Sequence, residues 1–304
     1  MVHIEGKVPK LLVLLIFCIV IGGLFSVLAM LMVEPLFGIP FTEVSKAISN
    51  LESTINIQVL KFIQFFNTIG IFWLPGILFV VLLYKNPINY LKLNKQLNSQ
   101  YLLLVVFLLF SFLPLLNLVG TLNAEMHLPE WLSGVEDWMR NSEDKASEIT
   151  KAFLRMDGPA DLLFNILLIG ILPAIGEELI FRGIIQQTIN KGKSNYHIGI
   201  WVSAILFSAM HFQFYGFLPR LFLGALFGYL FVWSRNLWVP IFAHFLNNTF
   251  ALLAVYYLGI DVVEKQVDRL GATNETYWFA IVGGIIFIGI LIYSRRLLER
   301  ESVN

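Results

Sequence analysis

Long apolar runs constrain this chain more than any other feature, because water cannot solvate so much contiguous hydrocarbon. A helix that spans a bilayer needs about 20 predominantly apolar residues, with a range of about 17–25. The first run is too long for a signal peptide and lacks its small-residue cleavage site, so we expect it to be retained. We identify eight candidate spans: Leu11–Val33, Phe62–Tyr84, Tyr101–Leu122, Leu162–Leu179, Ile198–Phe214, Leu218–Trp233, Leu237–Leu258 and Tyr277–Tyr293.

The composition agrees with these runs. Hydrophobic residues make up 57% of the 304 positions and charged residues only 14%, with a mean hydropathy of +0.74. A soluble globular chain has about 25% charged residues, so an ordinary soluble enzyme is excluded. The 21 basic and 21 acidic residues cancel, and no basic patch suggests a nucleic-acid partner. We therefore predict an all-α polytopic membrane protein with about eight transmembrane helices.

Charge placement predicts how the helices are oriented. With the N-terminus inside, the inner segments hold 12 of the 21 basic residues and three acids, whereas the outer segments hold nine basic residues and 16 acids. This asymmetry fits the positive-inside rule, so we expect a multi-pass protein of the plasma membrane with both termini in the cytoplasm. The inner basic residues are Lys7, Lys10, Lys85, Lys92, Lys95, Arg182, Lys191, Lys193, Arg235, Arg295, Arg296 and Arg300.

Two outer excursions, near residues 34–60 and 123–160, interrupt the spans. In the second excursion, apolar residues recur at helical spacing between acidic residues, which indicates an amphipathic helix. This helix either lies at the membrane interface, anchored by tryptophan, or packs across the mouth of the bundle. The apolar residues of the pattern are Trp131, Val135, Trp138, Ile149 and Phe153.

The first polar interruption of a span is Glu177-Glu178, followed by Arg182. A carboxylate inside a bilayer helix costs at least ~2.5 kcal/mol on insertion scales. Glu178 and Arg182 are four residues apart and share a helix face, which predicts an ion pair. Glu177 is turned about 100° away, so it must face something else. We place Glu177 about 3 Å from the inner end of its span, or deeper if the helix continues to Gln186.

Two further spans carry histidine. His211 follows Phe207 by four residues and lies about 19 Å along the fifth predicted span, at 1.5 Å per residue. His244 and Asn248 are four residues apart on the seventh span and share one face. Each could alone be a hydrogen-bonding group that holds the bundle together. Between them, Gly224 and Gly228 form a small-residue face that lets helices approach closely.

Together these stretches resemble the CPBP family of intramembrane proteases, also called the ABI family, which includes the type II CAAX prenyl endopeptidases. The family pattern is EExxxR, then FxxxH, then HxxxN or HxxxD on successive helices. The resemblance covers residues 160–250 and implies a core over residues 161–258. Residues 1–160 would supply N-terminal helices and the outer excursion, and residues 259–304 an outer loop and the last helix, all in one integrated domain.

The resemblance implies a hydrolase that cuts peptide bonds with activated water. Its catalytic residues would be Glu177, His211, His244 and Asn248, with Glu178 and Arg182 in support. Glu177 and His211 would activate the water, and His244 and Asn248 would hold the oxyanion. The expected partners are the lipid bilayer and a membrane-embedded or membrane-associated protein or peptide, with no nucleic acid. The expected site of cleavage is in or just beneath the inner leaflet.

Three alternatives stay open. Glu177, His211 and His244 could bind zinc, although the HExxH helix is absent and we favour a mechanism with no metal or other cofactor. A transporter or channel could relay protons through buried Glu and His, but the paired repeats of many transporters are missing. The third alternative is an inactive scaffold that binds a membrane partner or confers immunity to a peptide toxin. The intact motif set disfavours this alternative.

Overall fold

The computed structural model describes residues 4–190 and 195–301, and no β-strand occurs in those residues. Lys191 and Lys193, which we counted among the inner basic residues, lie outside the described part. Within these described ranges, seven helices are long and apolar enough to cross a membrane, so the chain is an all-α polytopic membrane protein. They are α1 (Lys7–Phe37), α2 (Thr54–Leu83), α3 (Ser99–Ala124), α5 (Pro159–Asn190), α7 (Phe217–Ser234), α8 (Trp238–Leu258) and α9 (Tyr277–Glu301), with α4 (Ser133–Phe153) and α6 (His197–Ala209) between them.

Helix α6 is shorter than the predicted span Ile198–Phe214. Its 13 residues cover about 20 Å, whereas a spanning helix covers about 30 Å. The helix tightens after Ala209 into three-residue turns, and Phe212 has a φ of +52°. The turn after α6 contacts the end of α3, where Asn123 donates a hydrogen bond to the carbonyl of Phe214. His211 therefore lies in a turn after the helix, not within it.

Helix α5 is longer than the predicted span Leu162–Leu179. It continues to Asn190 and contains two π-helical segments, Ile166–Ile171 and Leu179–Gln186. Glu177 thus lies 13 residues before the helix end, or about 20 Å, near the middle of the helix. The estimate of 3 Å was wrong, because the chain does not leave the bundle at its polar residues.

Small residues bring the polar helices together, as the sequence predicts. A Cβ on Gly224 of α7 would lie 3.3 Å from Ala204 of α6, and one on Gly228 would lie 2.9 Å from Ile200. A Cβ on Gly176 of α5 would lie 2.7 Å from the Trp73 ring of α2. The backbone of α7 therefore approaches that of α6 at Gly224, while Gly228 and Gly176 make room for the side chains of Ile200 and Trp73.

The amphipathic helix α4 covers the turn between α6 and α7. The ring of Trp138 lies 5.1 Å from that of Phe214, and Glu143 accepts a hydrogen bond from the amide of Tyr215. Trp131 remains 80% exposed and Trp138 53% exposed. Of the two interpretations that the sequence left open, α4 therefore packs across one mouth of the bundle, with its tryptophans still on the outside.

The basic segments meet at the opposite end of the bundle. Lys7 at the start of α1 donates a hydrogen bond to the carbonyl of Ile189 near the end of α5. The carbonyl of Lys92, in the connection between α2 and α3, accepts a hydrogen bond from Leu237, just before α8. Segments that the charge count assigned to one side thus share one end of the structure.

Candidate active site

A cavity of about 270 Å³ lies between α5, α7, α8 and the turn after α6. The four residues that the sequence singled out for catalysis all line it, although they come from three separate stretches of the chain. The cavity walls also contain apolar and amide side chains from α5, α7 and α8. The lining residues are Ile169, Pro173, Glu177, Phe207, His211, Arg220, Leu223, Phe227, His244, Asn247 and Asn248.

Glu177 presents a carboxylate with a free oxygen to this cavity. The residue is 8% exposed, and its Oε2 has no hydrogen-bond partner within the described protein. This oxygen lies 4.0 Å from Nε2 of His244, which is too long for a direct hydrogen bond. A water oxygen can lie about 2.8 Å from both atoms at once, so the gap suits a bridging water.

Glu178 points away from Glu177 and forms a fully buried bridge. Its Oε1 accepts hydrogen bonds from Nη1 of Arg182 at 2.7 Å and from Nδ1 of His244 at 3.0 Å. The guanidinium of Arg182 also donates to the carbonyl of Gly224 at 2.8 Å and lies 4.7 Å from the Phe207 ring. One charge network therefore links α5 to α7 and α8, and it forms the ion pair that the four-residue spacing predicts.

This network fixes the orientation of the His244 ring. A carboxylate only accepts hydrogen bonds, so Nδ1 of His244 carries the proton that Glu178 binds. The other ring nitrogen, Nε2, then faces Glu177 across the cavity. The ring also stacks on Phe227, with centroids 5.4 Å apart and an angle of 25° between the planes.

His211 is held in the same tautomeric form by a different partner. Its Nδ1 donates to the carbonyl of Phe207 at 2.8 Å, a carbonyl that the end of α6 leaves free. A neutral His211 therefore carries its unshared electron pair on Nε2. Helix α6 ends at Ala209, and the turn that follows places His211 in the cavity wall.

Asn248 is positioned by a π-helical segment of α5. Its Nδ2 donates a hydrogen bond of 3.0 Å to the carbonyl of Ile169, and its Oδ1 accepts one from Asn247. Ile169 lies within the segment Ile166–Ile171, where the wider turn displaces carbonyls from the usual ladder. The amide nitrogen of Asn248 has a second hydrogen, which remains for a ligand in the cavity.

Arg220 is a cavity residue that our sequence analysis missed. Its guanidinium donates to the backbone and side-chain oxygens of Gln213, in the turn that α4 covers. We had counted it among the outer loop charges, yet it lies within the sixth predicted span. The rule that an arginine inside a membrane helix marks a functional site would have identified it.

The acidic and histidine side chains do not form a ready metal site. Among the residues that the structure describes, no group of three His, Cys, Asp or Glu side chains converges closely enough to hold a metal ion. Nδ1 of each site histidine is engaged, by Glu178 in the case of His244 and by a carbonyl in the case of His211, which leaves Nε2 of both rings open to the cavity. The arrangement instead offers one free carboxylate oxygen and two imidazole nitrogens around a small cavity.

Comparisons with known proteins match this region. Residues 159–250 match the family described as type II CAAX prenyl endopeptidase Rce1-like. A protein of Bacillus subtilis (strain 168), "Putative membrane peptidase YdiL", is 32% identical over 141 residues. The matched part of this chain is similar to the CPBP family of CAAX-protease-like membrane proteins. A second relative, "Uncharacterized protein YpbD" of the same organism, is 33% identical over 86 residues.

The similarity is partial in length. The two matches cover 46% and 27% of this chain and 53% and 41% of YdiL and YpbD, respectively. The chain thus spans about half of the curated relatives it matches. No solved structure matches it significantly. The matched residues 159–250 contain all of the cavity residues, and α1 to α4 lie outside the family match.

Proposed function

We propose that this protein is a member of the CPBP family and an intramembrane endopeptidase that hydrolyses a peptide bond of a membrane-embedded or membrane-associated protein or peptide. The observation that carries the proposal is the free Oε2 of Glu177, buried beside Nε2 of His244 at 4.0 Å in a cavity of about 270 Å³. A buried carboxylate oxygen without a partner costs free energy of folding, so its presence here indicates a functional role. The gap between this oxygen and Nε2 of His244 accepts a water molecule.

Water activation is the first step of the proposed mechanism. Glu177 takes a proton from the water, and the oxygen of that water attacks the carbonyl carbon of the scissile bond. His211 assists by accepting a hydrogen bond from the same water through Nε2. The attack moves an electron pair onto the carbonyl oxygen, which becomes an oxyanion.

Two side chains of α8, His244 and Asn248, stabilise this oxyanion. A protonated His244 donates through Nε2, while Glu178 holds its other nitrogen. Asn248 donates through the free hydrogen of Nδ2. Fixed donors in a site that excludes water stabilise developing negative charge without reorganising. Glu177 then passes its proton to the leaving amine, so the carbon–nitrogen bond breaks and a carboxyl group remains on the other product.

This mechanism uses no metal, and we expect purified protein to retain at least 80% of its activity after dialysis against a zinc chelator. The reason is that Glu177 and the two histidines suffice to activate water and bind the oxyanion. Metal analysis of the same sample should give far less than one zinc per chain. Loss of activity that added zinc restores would establish the zinc site of Glu177, His211 and His244 instead.

We further propose that the protein lies in the plasma membrane with both termini in the cytoplasm. The basic segments at the Lys92 end of the bundle support this orientation. In a chain with Cys18 replaced by Ala, we expect an impermeant thiol reagent on intact cells to label a cysteine at Asp268 but not one at Lys95. Both positions are exposed, so lysed cells provide the control for accessibility. Labelling of the Lys95 position alone in intact cells would show the reverse orientation.

Comparison of cleavage products tests the function directly. Cells with the wild-type protein and cells with Glu177→Ala are grown in parallel, and new peptide termini in the membrane fraction are identified by mass spectrometry. We expect termini within or next to apolar segments that appear only with the wild type. If no terminus depends on Glu177, while both proteins are present at equal levels, the proposal is wrong.

A further inference from the structure

A second polar cavity, of about 780 Å³, lies at the end of the bundle away from α4. It forms where the start of α1, the connection between α2 and α3 and the end of α5 meet. Lys7, Lys10 and Lys92 line it, together with neutral polar and aromatic side chains. No Asp or Glu lines it in the part of the chain that the structure describes. Below we call it the basic cavity.

The three ammonium groups of the basic cavity have only neutral partners. Lys7 donates to the carbonyl of Ile189 at 2.8 Å. Lys10 lies 5.3 Å from the Tyr84 ring centre, and Lys92 lies 4.7 Å from that of Phe231. Among the described residues, none of these lysines forms an ion pair with a carboxylate. Three cations thus surround one cavity, and no carboxylate of the described residues pairs with them.

Lys92 shows the electrostatic cost of this arrangement. Burial and the nearby cations Arg235 and Lys95 lower the pKa of its ammonium to about 8. The residue also adopts a φ of +57°, which is unusual for a side chain other than glycine or asparagine. This backbone conformation holds the Lys92 ammonium at the cavity, where a bound anion would offset the cost of its burial.

An apolar groove of about 420 Å³ runs beside the basic cavity along the same two helices. On α1 it extends from Val8 to Cys18, and on α5 it reaches Ile185, the neighbour of Gln186 in the basic cavity. The groove is lined almost wholly by hydrocarbon. Ten residues of α1 correspond to about 15 Å, which is half the thickness of a bilayer's hydrocarbon core. Groove and cavity together match a molecule with an anionic head and an apolar chain.

The geometry points to an anionic phospholipid, and we propose that its phosphate binds Lys7, Lys10 and Lys92 while one acyl chain lies in the groove along α1. A phosphodiester suits such a site because ammonium groups bind phosphate oxygens through charge-assisted hydrogen bonds. Basic pockets between membrane helices commonly bind anionic head groups. The basic cavity holds no acid for the cationic part of a zwitterionic head group, so phosphatidylglycerol fits it better than phosphatidylcholine.

A third cavity, of about 760 Å³ at the α4 end of the bundle, differs from the basic cavity in its charge. Lys61 and Arg155 line it together with Asp157 and Asp161, so its charges are balanced within the protein. It therefore does not show the excess of cations on which the lipid proposal depends.

Native mass spectrometry of the full-length protein in detergent tests the proposal, with phosphatidylglycerol and phosphatidylcholine as probes. We expect phosphatidylglycerol to bind the wild type at least tenfold more tightly than phosphatidylcholine. The double variant Lys10→Gln/Lys92→Gln should lose at least tenfold in affinity for phosphatidylglycerol. The matched control Lys85→Gln/Lys95→Gln removes two exposed lysines at the same end and should stay within twofold of the wild type. Equal binding by both double variants overturns the proposal.

Two further measurements distinguish a bound lipid from a bound soluble phosphate. The first of them uses a variant that changes no lysine. Leu15→Trp fills the groove without touching a lysine, and we expect it to weaken phosphatidylglycerol binding at least fivefold. Glycerol 3-phosphate at the same head-group concentration should displace less than a tenth of the bound lipid. If it displaces the lipid fully and Leu15→Trp binds lipid as the wild type does, the ligand is a soluble phosphate and the lipid proposal is wrong.

Discussion

Glu177→Gln is expected to reduce peptide-bond hydrolysis by about 10²–10⁴-fold, the usual contribution of a general base. The amide keeps the size of the side chain, but it cannot take a proton from the water beside Nε2 of His244. The carboxylate oxygen that is lost has no protein partner, so little folding energy is lost with it. Steady-state cleavage of an identified substrate by purified protein in liposomes measures the effect.

The control for Glu177→Gln is Asp161→Asn, which neutralises another acid of α5 away from the active-site cavity. It should keep activity within twofold of the wild type. Both variants should melt within about 2 °C of the wild type, a shift that corresponds to roughly 0.5–1 kcal/mol for a domain of this size. Turnover by Glu177→Gln above a few per cent of wild type would exclude Glu177 as the base.

Hydropathy predicted most of the fold because the spans are physically simple. A run such as Leu11–Val33 can only be a buried or membrane helix, and α1 contains it with four residues added at each end. The motif spacing also predicted which side chains would meet. Glu178 and Arg182 pair because residues four apart share a helix face, and this holds within α5 in spite of its π-helical segments.

Tertiary contacts decided the features that the sequence did not reveal. The predicted fourth span includes Glu177 and Glu178 and ends at Leu179, three residues before Arg182. In the structure Glu178 and Arg182 pair with each other and also bind His244 and the Gly224 carbonyl, so α5 continues to Asn190. Hydropathy assigns such residues to the membrane surface, because it cannot see partners on other helices.

The end of α6 illustrates the opposite error. The apolar run continues through Phe212 and Phe214, so hydropathy extends the helix past Ala209. The chain instead turns at His211, and Asn123 and Glu143 then bind the backbone of residues 214 and 215. No local pattern signals this turn, since its stabilising hydrogen bonds come from α3 and α4, far away in the sequence.

Arg182→Ala is expected to destabilise the protein by about 3–5 kcal/mol, the typical cost of breaking a buried ion pair. Arg182 and Glu178 are both 0% exposed, so the substitution leaves the Glu178 carboxylate in a region of low polarity with His244 as its remaining partner. It also removes a hydrogen bond to Gly224 and a cation contact with Phe207. Unfolding in detergent, followed by circular dichroism, measures the loss.

Arg140→Ala is the matched control for Arg182→Ala. Arg140 and Glu136 on α4 form the same kind of pair, four residues apart and 2.7 Å long, but the arginine side chain is 42% exposed. Water replaces the lost partner at such a site, so Arg140→Ala should unfold with nearly the same free energy as the wild type. The double variant Glu178→Gln/Arg182→Met should be less destabilised than Arg182→Ala, because it removes the charge that would be left unpaired while an amide oxygen still accepts from His244. If Arg182→Ala and Arg140→Ala unfold with equal free energies, the buried network does not brace the site.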